Sequence, residues 1–110
     1  MTKSVTVEER GIAGDHRYVV AEVDITSLDS AGTEPLDPSS QFQLEDVHGA
    51  AVLDQEDYTK LFHFDADAAT PAIIVKEVND TGDGTGGVQD VANNTDVGTV
   101  TLKFEGDWSA

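Results

Sequence analysis

Apolar and polar residues alternate with a period of two along much of this 110-residue chain, most clearly near its end. Inside "ANNTDVGTVTLKFEGDW", Val100, Leu102 and Phe104 fall on one side, and Thr99, Thr101, Lys103 and Glu105 on the other. Successive side chains of a strand point to opposite faces, so the segment predicts a strand with one buried and one wet face. "RYVVAEVDI" predicts another, with Val19, Ala21, Val23 and Ile25 inward and Tyr18, Val20, Glu22 and Asp24 outward. Shorter candidates are "SVTV", "VHGAAVLD", "KLFHFD" and "AIIVKEV", the last two joined through "ADAATP" as a hairpin loop. Gly14-Asp15 supplies the positive φ that a tight hairpin needs. "SLDSAGTEP" reads as a loop, and "LDPSSQF" as one helical turn with Asp37 as N-cap and Pro38 in the first helical position. There is no internal repeat and no amphipathic helix of several turns. About six or seven short strands plus one helical turn predict an all-β chain: a single-domain β-sandwich, or a small barrel, over residues 1–110.

One stretch breaks the alternation. "NDTGDGTGGVQDVANNTD" has almost no core-forming residues besides Val88 and Val91, and its part from 79 to 91 predicts a long, flexible, acidic, glycine-rich loop. Counted from Asn79, it places Asn79, Thr81, Asp83, Gly84 and Asp90 at the first, third, fifth, sixth and twelfth positions of a calcium loop. Asn79, Asp83 and Asp90 are thus the candidate metal ligands. Asn stands where Asp is usual, the twelfth residue is Asp with its shorter reach, and no amphipathic helices flank the loop. A solvated hairpin loop is the competing reading. The loop is a poor phosphate cradle, because no Lys or Ser follows its glycines and its acids repel anions.

Charge sharpens the picture. Asp and Glu number 22 against six Lys and Arg, for a formal net charge of −16. The acids recur from Glu8 to Asp107, interleaved with apolar residues, which describes a folded domain with an acidic skin and not a disordered tail. Few lysines, many acids and abundant small residues resemble the proteins of salt-loving archaea. Direct nucleic-acid binding is disfavoured, since it rests on Lys and Arg neutralising phosphates. There is no cysteine, so disulfides, thiolate metal sites and thiol nucleophiles are excluded. No apolar run is long enough to cross a bilayer and "MTKSVTVEER" has no signal-peptide core, so the expectation is a soluble chain with no membrane partner.

No catalytic constellation emerges. His16, His48 and His63 are isolated from one another in sequence, and His63 alternates with Phe62 and Phe64 as a half-exposed sheet residue would. Asp65 and Asp67 flank a turn and read as its caps. Neighbouring carboxylates are unavoidable in so acidic a chain and carry no glycosidase signal. Serines lack a nucleophile-elbow setting. The expectation is a protein that is not an enzyme and has no cofactor, calcium being the one candidate. Most large aromatics should be core. Trp108, two residues beyond Gly106, is the candidate surface anchor for an interface.

Taken together, "VTVEERGIAGDHRYVVAEVDIT", "EPLDPSSQFQLEDVHGAAVL", "FHFD" with "AIIVKEV", and "VANNTDVGTVTLKFEGDW" resemble a group of small virion proteins of tailed viruses. Ala92, Asn93, Thr95, Asp96, Val100, Leu102 and Phe104 carry the resemblance at the end of the chain. These are marks of structural punctuation and not of site chemistry. The chain is far more acidic than the bacterial-virus proteins of that group, which fits a virus of a halophilic archaeon, and its 79–91 loop is longer. The resemblance implies a capsid decoration or turret protein on the virion surface. Its partners would be the major capsid protein and further copies of itself, as a homo-oligomer and most simply a trimer. The alternatives are a tail or connector component, or a small halophilic β domain that binds calcium or another ligand.

Overall fold

The computed structural model describes residues 3–14, 16–67, 70–79 and 87–108. Its strands are β1 (Lys3–Ala13), β2 (His16–Ile25), β3 (Thr33–Pro35), β4 (Leu44–Gln55), β5 (Lys60–Asp65), β6 (Ala72–Asn79), β7 (Gly87–Asp90) and β8 (Gly98–Trp108), with one short helix, α1 (Pro38–Phe42). Two antiparallel sheets form, and neither closes into a barrel. The first has the order β1-β2-β8-β4. In the second, β6 is central, with β5 along one side. β3 and β7 share the other side in succession, β3 against Ala72–Ile74 and β7 against Lys76–Asn79.

The core lies between the sheets and follows the alternation. Val19, Ala21, Val23 and Ile25 of β2 and Val100, Leu102 and Phe104 of β8 are completely buried. They also pair across the ladder, Val19 with Phe104, Ala21 with Leu102 and Val23 with Val100. Phe64, Ile73 and Val75 face them from the second sheet, and Leu36, Phe42 and Leu44 complete the cluster. The Phe104 ring lies 5.0 Å from both Phe42 and Phe64, edge-on to the latter.

Helix α1 has five residues, too few to be stable alone, so its ends do much of the work. Asp37 accepts the Ser39 N–H at 3.0 Å, Pro38 occupies the first turn, and Gln43 closes the helix at φ 62°. Its Phe42 is fully buried.

Two of the six basic residues bind β1 to the opposite layer. Lys3 and Arg10 lie on the inward side of β1, opposite Ile25 and Val19. Lys3 Nζ meets Glu34 Oε2 at 3.1 Å, and Glu34, only 1% exposed, also accepts the Asp29 N–H. Arg10 donates to the Phe42 carbonyl at 2.8 Å.

β4 departs most from regularity. Twelve of its residues run against Val100–Trp108 of β8, and the register shifts at three places, between Leu44 and Val47, Val47 and Gly49, and Val52 and Asp54. Each bulge bends the strand and increases its twist. Close approach at one of them demands glycine. A Cβ on buried Gly106 would strike the Asp46 carbonyl oxygen and stand 3.0 Å from Val47 Cα, both backbone atoms that cannot swing aside. Gly106→Ala is therefore expected to cost about 1–3 kcal/mol in denaturant unfolding, as overpacking does. Gly49→Ala, which points into open space, should be neutral or stabilising. Equal losses at both sites would show that strand flexibility, and not this contact, is at stake.

Some expectations require correction. β1 runs well beyond "SVTV", to Ala13. Residues 33–35, expected in a loop, form β3, and residues 87–90, expected within the 79–91 loop, form β7. Residues 80–86 lie outside the described residues. Tyr58, expected in the core with most aromatics, is 81% exposed on the β4–β5 turn. Among the described residues, no helix is long and apolar enough to cross a membrane.

Candidate functional site

Alternation leaves each sheet with an outer face, and the two faces differ in chemistry. Beyond the first sheet project Glu22 and Asp24 from β2, Thr99, Thr101, Lys103 and Glu105 from β8, and Ala51 and Asp54 from β4. Lys103 lies 3.5 Å from Glu105 and sits over the Tyr18 ring, 4.9 Å from its centroid. Glu22 hydrogen-bonds Glu8, and this bond, with the repulsion between the two carboxyls, raises Glu22 above the ordinary carboxylate range. An open depression lined by Glu22, Asp54, Glu56, Thr99 and Thr101 continues the acidic surface. This face is strongly anionic.

The outer face of the second sheet carries Leu61, His63, Ile74, Lys76, Val78, Val88 and Asp90, all on one side of the ladder by register. Val78 stands directly opposite Val88, and Leu61 opposite Lys76. Leu61, Val78 and Val88 are 49%, 65% and 57% exposed, three of the eight large apolar side chains exposed among the described residues. Charge is compensated here: Lys76 pairs with Asp90 across β6 and β7. Just behind, Lys60 pairs with Glu77 at 2.9 Å. Hydrogen bonds from Lys60 and Gln89 hold Glu77 below the usual carboxylate range. The result is an apolar, nearly neutral strip on an otherwise acidic molecule.

Of the three calcium candidates, Asp83 lies outside the described residues. Asn79 and Asp90 stand on neighbouring strands, but Asn79 pairs with Gly87 while Asp90 pairs with Lys76. Three ladder steps separate their backbones by about 10 Å along the strands. Asp90 is also engaged by Lys76. The backbone of Trp108 ends β8 opposite Leu44, and its side chain is outside the described residues. Asp65 accepts the Asp67 N–H at 3.1 Å, the turn-capping role expected of it. His63 is exposed on the second sheet.

His16 and His48, remote in sequence, meet in space. Their rings are 4.6 Å apart, and His48 Nε2 lies 3.5 Å from Asp107 Oδ2. The sheet order produces this cluster, because β8 lies between the strands that carry the two histidines. No local motif could have signalled it. Comparison of the chain with protein-family models, with curated proteins and with solved structures finds no match.

Proposed function

We propose that this chain is a non-enzymatic virion protein that decorates the capsid shell of a tailed virus, one that infects a halophilic archaeon. The apolar, charge-compensated strip of Leu61, Val78 and Val88 supports the reading most directly, because it offers a contact surface on a molecule whose other face repels anions. The strip would rest on the major capsid protein or on neighbouring copies, and the acidic sheet would face the medium. The sequence resemblance supplies the kind of partner. A homo-oligomer, most simply a trimer, would place several such strips on one shell position.

Composition of purified particles tests the proposal. The protein should be present in copy number comparable with the major capsid protein. A few copies per particle would point instead to a tail or connector component, and absence from particles would reject a virion role.

Salt gives a further expectation. The folded chain exposes 6148 Å², so its 22 acids, spread evenly, would stand about 17 Å apart, beyond the Debye length of about 8 Å at 0.15 M salt. Repulsion within one copy is thus modest, whereas several copies at a net charge of −16 must meet one another and an acidic shell. Lowering KCl from molar to about 0.1 M, where the Debye length is about 10 Å, should release the protein before it unfolds. Sedimentation follows attachment and circular dichroism follows folding through the same series. Unfolding that precedes or accompanies release would place the salt requirement within the fold.

A further inference from the structure

We propose that His16, His48 and Asp107 form a binding site for one divalent first-row transition metal ion of the zinc class. The three residues come from three adjacent strands of the first sheet: His16 opens β2, Asp107 lies near the end of β8, and His48 belongs to β4. Each offers one ligand atom, and these atoms all lie within 4.8 Å of one another. Strands paired in a sheet hold their side chains more firmly than a loop does.

His48 owes its position to a bulge. Val47 pairs with Gly106 and Gly49 with Glu105, which leaves His48 as the extra residue between them. Bulges re-aim a side chain, and here the ring turns against His16 and towards Asp107. Both histidines are exposed and Asp107 is partly so, giving an ion access from solvent and the side chains freedom to close. An ion bonded at about 2.0–2.2 Å needs its ligands about 3.3 Å apart, a contraction of at most about 1.5 Å from the geometry present.

The donor set selects the class of ion. Two imidazoles and one carboxylate suit zinc, cobalt, nickel or copper, whereas calcium takes six to eight oxygens. Three protein ligands leave a fourth position for water or for a group from another molecule. A net charge of −16 raises the cation concentration around the whole surface.

The experiment is calorimetric titration of the full chain, stripped with chelator, with zinc chloride in molar KCl and excess calcium. Salt and calcium suppress adsorption to the acidic skin, so what remains reports the imidazole site. One zinc per chain is expected. His16→Ala and His48→Ala should each weaken binding about tenfold or more, while His63→Ala, on the other sheet, should leave it unchanged. Circular dichroism checks that the variants fold. Ring-nitrogen NMR of the unmodified protein gives a second readout, with His16 and His48 shifting on zinc addition and His63 staying in place. Absence of saturable heat, binding unaffected by either alanine variant, or equal shifts at all three rings would overturn the assignment.

Discussion

Phe104→Ala is expected to remove about 3–5 kcal/mol of stability, a large share of the roughly 5–15 kcal/mol that a domain possesses. Phe104 is fully buried, pairs with Val19 across the β2–β8 ladder and holds Phe42 and Phe64 at 5.0 Å on either side. Truncation would open a cavity bounded by both sheets and by α1, so no single element can relax to fill it. The loss should appear as a lower denaturant midpoint with little change in slope. Thr101→Ala, on the acidic outer face of the same strand, should cost under about 1 kcal/mol. Similar costs for the two would mean that the strand register is wrong or that the outer face is covered as well, by another copy of the chain.

The second large effect concerns the part-buried ion pair of Lys3 and Glu34. Lys3→Met keeps most of the apolar stem but removes the cation from Glu34, a carboxylate with a side chain 1% exposed. The pair is part-buried and Glu34 keeps the Asp29 N–H, so removing the lysine is expected to cost about 1–3 kcal/mol. Adding Glu34→Gln should recover part of that loss, since a neutral amide still accepts from the Asp29 N–H and has no charge to desolvate. The order of denaturant midpoints should therefore be native, then double variant, then Lys3→Met. A double variant no better than Lys3→Met would assign the loss to packing of the lysine stem. Coupling between the two sites isolates the pair.

These effects could be foreseen to different degrees in the sequence. Phe104 and the inward residues of β2 were legible because one face of each strand meets the core and the other meets water. Helix α1 was legible through cap chemistry, with Asp37 and Pro38 marking its start. β3 and β7 were not legible, since both are very short and take their order from pairing with β6, and β7 is exposed throughout. β4 was legible as apolar but not in register, because three bulges shift the two-residue period. The role of Lys3 was hidden because a lysine at a strand start ordinarily faces solvent. The histidine cluster was hidden more deeply. It exists only once β2, β8 and β4 lie side by side, a fact about sheet order that no local spacing encodes.

That sheet order also governs how the chain comes to be folded. β8 is the last of the eight strands to leave the ribosome, yet it belongs in the interior of its sheet, between β2 and β4. Until it arrives, β2 has only β1 paired beside it, and among the described residues β4 has no paired strand. The hairpins β1–β2 and β5–β6 can form during synthesis, but Val19, Ala21, Val23 and Ile25 wait without their partners on β8. Pairings so distant along the chain close slowly, and open edges invite association between nascent chains.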